Sequence, residues 1–234
     1  MQLESLEGRR LFAATVTEGY PGLYEVHGSA DDDVIEISVN QEAGTFTLDG
    51  ATYTDVAYIY VHGYDGDDFI SVISEDGSGS IGASISADGG SDTVLLNFDG
   101  AIWGGNGKDI IYLSDATRGE VYGEDGGDEI YLSGASADAY VDGGCGSDYI
   151  DATGNYAGAT LHGGNGNDQI HGSPYDDQIH GDAGNDVLYG EDGNDVFYVR
   201  DGDHDEVHGG DGTDVAYADL NDDGFSDVEY LISN

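Results

Sequence analysis

Basic residues are almost missing from this chain. Its 234 residues hold 5 Lys and Arg against 49 Asp and Glu, a formal charge of −44. Phosphate binding needs positive side chains, so no nucleic-acid partner is expected, and an anionic membrane surface is excluded on the same ground. With one cysteine, Cys145, no internal disulfide framework can form. No apolar run approaches the ~18 residues of a membrane span, so no membrane insertion is expected. Proline is scarce as well, at 2 residues, while hydrophobic residues reach 38% and include 17 Tyr and 6 Phe. That balance argues against the disorder that such a charge would otherwise suggest. A chain that repels itself this strongly needs cations to become compact, and cation-dependent folding is the expectation.

What the sequence has in abundance is a nine-residue repeat. Residues 163–198 read "GGNGNDQIH", "GSPYDDQIH", "GDAGNDVLY" and "GEDGNDVFY" without a gap, and "GGDGTDVAY" follows at 209–217 after a one-residue shift. Upstream copies are "GGNGKDIIY" (104–112), "GEDGGDEIY" (123–131) and "GGCGSDYID" (143–151), with looser ones at 28–36, 63–71 and 87–95. The sixth positions are Asp33, Asp68, Asp92, Asp109, Asp128, Asp148, Asp168, Asp177, Asp186, Asp195, Asp205 and Asp214. From Asp92 on they are spaced at about nine or about twice nine, so two nonapeptides make one coil. The N-terminal coils then carry an acidic turn on one edge and the C-terminal coils on both.

Seven residues before each of these aspartates stand Val26, Val61, Ile85, Ile102, Val121, Val141, Leu161, Ile170, Ile179, Leu188, Tyr198 and Val207. All but Tyr198 are aliphatic, which fits one inward residue per short strand. Each nonapeptide is thus a six-residue turn followed by a three-residue strand, with strands stacking parallel at ~4.8 Å around one narrow core. Glycines at positions 1, 2 and 4 open backbone angles closed to other residues.

On these blocks the chain resembles the RTX, or haemolysin-type, calcium-binding β-roll family, closely over 87–217 and loosely over 26–86. The resemblance implies an all-β, right-handed parallel β-roll (a β-solenoid) holding several Ca²⁺ ions between turns of successive coils. Calcium takes 6–8 oxygens, more than one turn supplies. Carried over, one edge would use Asp92, Asp109, Asp128, Asp148, Asp168, Asp186 and Asp205, and the other Asp177, Asp195 and Asp214, with Asp68 as a looser member. The turn residues Gly104, Asn106, Asp125, Gly144, Gly164, Asn165, Asp192 and Asp211 join them as candidate ligands. Pro174 and Tyr175 in one turn, Cys145 at a third position and the irregular turn around Asp203 and His204 depart from the family pattern, and the turn around Asp33 is expected to bind nothing. Two carboxylates ~5 Å apart repel by about 1 kcal/mol even with water-like screening, so the roll is expected to unfold largely without metal.

A second motif, "DLNDDGFSD" at 219–227, begins like an EF-hand loop but has Tyr230 where the closing Glu belongs. It is more similar to the calcium loops of β-propeller repeats, with Asp219, Asn221, Asp223 and Asp227 as ligands and Gly224 making the turn. The alternative is an acidic capping loop.

Seven histidines invite an enzymatic reading. His162 and His180 should stack on one sheet, with His171 and His208 on the other beside Tyr112, Tyr131 and Tyr189. They follow inward residues and so face out, where a filled roll offers no dry pocket. A polar ladder is the favoured reading and weak transition-metal binding the alternative. No Gly-Lys-Ser/Thr follows the glycine turns, so nucleotide binding is rejected. Cys145 is expected to be a quiet, partly buried thiol. No catalytic residue is expected, and no segment outside the repeats is large enough for a catalytic domain.

The chain divides into residues 1–25, an export-like or disordered segment; 26–86, degenerate coils with a β-hairpin cap at 34–50; 87–217, the calcium-binding roll; and 218–234, a C-terminal cap with a candidate calcium loop. The stretch "LESLEGRRLFA" resembles a short motif on certain bacterial exported and surface proteins; a frayed terminus is the alternative. The expected function is that of a secreted or cell-surface calcium-binding structural protein. Its alternatives are a self-assembling or adhesive filament or matrix subunit, with Trp103 and Tyr122 adjacent on an exposed ladder, and, less favoured, a relative of RTX exoenzymes.

Overall fold

Strand-forming residues in this chain come in runs too short to bury a face alone, so each run must lie on its neighbour one coil away. The computed structural model describes residues 14–76, 79–116, 118–135, 139–219 and 224–233. Every regular element among them is a β-strand; beyond the N-terminal hairpins successive strands alternate between two sheets of 12 strands, with Asp192–Gly193 and Asp211–Gly212 in a separate two-stranded sheet. Apart from the N-terminal hairpins, the pairings within the two sheets are parallel, and the register is regular except for one shift between Tyr131 and Ser133. In the first sheet Ile102, Val121, Val141, Leu161, Ile179, Phe197 and Ala216 form one inward column. In the second, Ile70, Val94, Ile111, Ile130, Ile150, Ile170, Leu188 and Val207 form the facing column. Both columns are fully buried. The molecule is an all-β parallel β-roll, with two nonapeptides to a coil as the spacing predicts.

All eleven aliphatic residues of the seven-before-Asp series are buried. Tyr198 is 36% exposed, and Phe197 takes the inward place instead. The inserted residue between Asp195 and Asp205 moves the counting frame by one while the strand keeps its apolar side chain inside.

The N-terminal end is more elaborate than one hairpin. Val34–Asn40 pairs antiparallel with Thr45–Leu48, and Ala51–Tyr53 adds a third strand. Phe46 is buried there against Tyr53, ring centroids 4.6 Å apart, and against the edge of Tyr24 at 5.3 Å. Thr15–Glu18 folds back antiparallel on Leu23–His27, with Val16 beside Val26. An export-like or disordered segment running to residue 25 therefore gives way to strand from Thr15, because Val16 packs onto the core. The stretch "LESLEGRRLFA" lies outside the described residues. At the other end Gly224–Ser226 and Tyr230–Ile232 add one more parallel rung to each sheet, with Phe225 and Val228 against the core. No helix among the described residues is long and apolar enough to cross a membrane.

Candidate metal centre

The turns between strands stack as regularly as the strands do. On the first edge the backbone N–H of each sixth-position aspartate donates to Oδ1 of the aspartate one coil on, from Asp33 to Asp68, Asp92, Asp109, Asp128, Asp148, Asp168, Asp186 and finally Asp205, at 2.7–2.9 Å throughout. On the second edge the N–H of Asp177 donates to Asp195 and that of Asp195 to Asp214. The division into two edges is the one expected from the spacing. Asp214 ends its row by donating to Glu229 Oε2 at 2.8 Å.

From Asp68 on, one oxygen of each accepting carboxylate is occupied in this way. The other, Oδ2 of Asp68, Asp92, Asp109, Asp128, Asp148, Asp168, Asp186, Asp195 and Asp214, is buried and has no hydrogen-bond partner. A buried, unpaired carboxylate oxygen is costly, and here it recurs coil after coil in two rows. Beside each of these except Asp92, where Ala87 takes the place, stands the first glycine of the same turn: a Cβ on Gly104 would come 2.5 Å from Asp109 Oδ2, and one on Gly163 the same distance from Asp168 Oδ2. The missing side chain keeps space open at the orphaned oxygen. The fourth-position glycines meet a second limit. Gly146 and Gly166 lie at φ 145°, and a Cβ on either would overlap the carbonyl oxygen of the glycine one coil back, Gly126 or Gly146.

The electrostatics agree. Burial pushes the carboxyls of Asp92, Asp128, Asp168 and Asp186 up to about 7 and that of Asp195 up to about 8; the accepted N–H opposes this, and the neighbouring aspartates add to it. Asp68 and Asp148 are raised to about 6, chiefly by burial. Burial thus disfavours the charged form of these acids, and a bound cation would favour it. A hard divalent cation with oxygen ligands fits the donor set, which offers carboxylates and close-packed turn carbonyls and no nitrogen or sulfur.

Three turns differ. Asp177 is saturated: Oδ1 accepts from Ala159 N–H one coil back and from the Ser173 hydroxyl of its own turn, and Oδ2 from Ser173 N–H at 2.6 Å. Ser29 does the same for Asp33 Oδ2 and leaves Oδ1 unpaired. Serine at position 2 therefore supplies internally what the glycine turns lack. In "DLNDDGFSD", Asn221 and Asp223 lie outside the described residues, and Gly224 starts a strand instead of forming a turn. Asp219 and Asp227 are the two expected ligands of that loop that the structure describes.

The third-position side chains of Asn106, Asp125, Asn165, Asp192 and Asp211 are exposed. The carbonyls of Asn106, Asp125 and Asn165 accept the N–H of Gly90, Gly107 and Gly146 one coil back, and Asp192–Gly193 pairs with Asp211–Gly212 as a small ladder along the second edge. Gly144 and Gly164 sit in register beside each other at position 2. Cys145 is exposed at its turn, not partly buried, because third positions face solvent.

Sequence reasoning missed a ladder at position 5. Asn185 N–H donates to Asn167 Oδ1, Asn194 to Asp176, His204 to Asn185 and Ser91 to Asp67. The run of Asn, Asp and Ser at that place in the repeat was the available signal. It also missed the second-position acids Glu124, Asp182 and Glu191, held at φ 64–75° where other coils have glycine.

The family model of the RTX calcium-binding nonapeptide repeat matches in four copies, over residues 101–115, 153–174 and 162–197. The chain carries RTX calcium-binding repeats. These RTX matches take in the turns of Asp109, Asp168, Asp177, Asp186 and Asp195, and the first-edge hydrogen-bond row carries the pattern upstream to Asp68. No curated protein matches this chain.

Proposed function

We propose that this chain is a calcium-assembled structural protein whose RTX turns take up Ca²⁺ between successive coils. The observation that carries the reading is the double row of buried, unpartnered Oδ2 atoms. In this reading Asp68, Asp92, Asp109, Asp128, Asp148, Asp168, Asp186 and Asp205 serve one edge and Asp195 and Asp214 the other, completed by turn carbonyls. The bound ion supplies positive charge where the fold packs negative charge. Asp177 stands apart, since Ser173 already fills its carboxylate. The stacked rings on the outer faces and the aliphatic filling of the interior support a structural role over a catalytic one.

An extracellular or cell-surface setting suits this chemistry, because sites of ~10⁻⁴–10⁻³ M are filled where calcium is plentiful. With 49 acidic residues, nucleic acid and anionic membranes are unsuited as partners. Calorimetric titration with calcium, paired with far-UV circular dichroism, tests the proposal. Several ions per chain are expected, with strand signal rising as they bind. Asp168→Asn should lower both the stoichiometry and the affinity, and unchanged binding in that variant would overturn the assignment.

A second reading, end-to-end self-assembly, is favoured by one observation. Tyr230, Leu231 and Ile232 form the last strand of the first sheet and are 59%, 44% and 40% exposed. An apolar edge strand of this kind invites pairing. Light scattering in calcium, with and without Leu231→Lys, distinguishes a filament subunit from a monomer.

A further inference from the structure

Away from the calcium rows, on the outward face of the first sheet, His162 and His180 are register partners on adjacent parallel strands. Their rings stack with centroids 4.0 Å apart and planes 12° from parallel. Asp182 reaches back from the next turn to place Oδ2 2.9 Å from His162 Nδ1. One ligand atom from each of the three lies within 4.8 Å of the others. Both imidazoles are half-buried, and Asp182 is exposed. The site opens on a groove of about 840 Å³ lined by His180, Asp182, Asp142, Cys145 and Tyr198 among others. That groove leaves an approach for an ion and room for water as a further ligand.

Asp182 is the informative residue. It occupies position 2 at φ 64°, where the register neighbour Gly164 has φ 101°. A side chain kept in the left-handed region is worth explaining, and here it delivers a carboxylate to an imidazole. The second sheet offers an internal comparison. Glu191, also at position 2, meets His171 Nδ1 at 3.0 Å, but the ring stacked on His171 is Tyr189. The hydrogen bond is the same on both faces; only the first sheet supplies two imidazoles.

We infer that His162, His180 and Asp182 form a binding site for a borderline transition-metal ion of the Zn²⁺ type, separate from the calcium rows. Two imidazoles and a carboxylate are the donor set of open zinc sites, which keep a fourth position for water. Calcium prefers an all-oxygen shell and is a poor competitor for such a set. The strands already hold the two rings side by side, and side-chain rotation out of the stack would turn one nitrogen of each onto a common ion.

The test uses the full chain saturated with calcium, so that the roll is formed before the second metal is added. Zn²⁺ is titrated calorimetrically, and Co²⁺ is used as a visible-absorption probe of coordination. One Zn²⁺ per chain that excess calcium does not displace, with cobalt bands typical of a four-coordinate nitrogen and oxygen site, is the expected result. His180→Tyr keeps a ring in the ladder, as Tyr198 does one coil on, and should weaken Zn²⁺ about 10–100-fold. Asp182→Asn should weaken it too, while His171→Asn leaves it unchanged. Equal Zn²⁺ binding by the parent chain and His180→Tyr, or displacement of Zn²⁺ by calcium, would overturn the inference. Neither outcome bears on calcium binding in the turns, which the strand signal reads separately.

Discussion

Strands Val34–Asn40 and Phe69–Ser74 each bury three side chains, Ile35, Ile37 and Val39 in one and Ile70, Val72 and Ser74 in the other. Gln169–His171, Val187–Tyr189 and Glu206–His208 each bury one. Both regions belong to the same two sheets, yet they are held by different means. The N-terminal coils add Phe46, Tyr24, Leu48 and Val56 to their interior, an apolar core in the ordinary sense. The C-terminal coils bury one apolar side chain per strand in the second sheet and one or two in the first, and carry an acidic turn at both edges. With so few buried aliphatic side chains to a coil of 18 residues, the C-terminal coils lean more than the N-terminal ones on what their turns bind. The expectation of a roll largely unfolded without metal is therefore refined: dependence on calcium should increase along the chain.

The largest effect that would break this comparison is regional. Hydrogen exchange in EDTA should show protection lost across residues 163–218 and retained in 34–40 and 69–74. Uniform loss, or uniform retention, would erase the distinction. Next come cavities. Ile70→Ala should destabilise the metal-free N-terminal region by about 2–5 kcal/mol, read from its exchange rates in EDTA. Leu188→Ala should leave those rates alone and lower the thermal midpoint of the calcium-loaded chain. A smaller, sharper contrast lies within the turns. Asp168→Asn should reduce calcium affinity about tenfold or more, equivalent to about 1.4 kcal/mol, while Asp177→Asn should keep the calcium stoichiometry and lose about 1–3 kcal/mol of stability through its bonds to Ser173.

The smallest effect is that of pH. Burial raises the carboxyls of Asp92, Asp128, Asp168 and Asp186 to about 7, against about 3.9 in an unfolded chain. Between those values the folded state binds more protons. The metal-free roll therefore gains stability as pH falls through about 7 and loses it as pH rises. In EDTA, exchange protection of the C-terminal coils should increase from pH 8 to pH 5, and in calcium the apparent affinity should fall over the same interval. A metal-free roll that loosened on acidification would contradict the burial of these carboxyls.

The repeat made the coil length, the two edges and the inward columns legible, because one period governs all three. Eleven of the twelve inward positions could be read from aliphatic residues at a fixed offset; Tyr198 could not, since a one-residue insertion changes the count while Phe197 keeps the packing. The sixth-position aspartates were legible as ligands by resemblance. That one oxygen of each is tied to the next backbone and the other left bare was not, since a sequence gives the residue and not the rotamer. The saturation of Asp177 by Ser173 was hidden for the same reason, although the departure from glycine at Pro174 and Tyr175 flagged that turn. The strand at Thr15–Glu18 was missed because four residues without a repeat signature carry little pattern of their own.

The backbone relay from aspartate to aspartate has a polarity. In the sixth-position rows each of these N–H groups is received by the aspartate one coil later in the sequence, opposite to the position-5 ladder, and Glu229 is the terminal receiver on the second edge. Shortening the chain ahead of that glutamate would strand Asp214 first and then loosen Asp195 and Asp177 in turn, like a zip opened from its stop. The roll thus has a direction in which it can be undone.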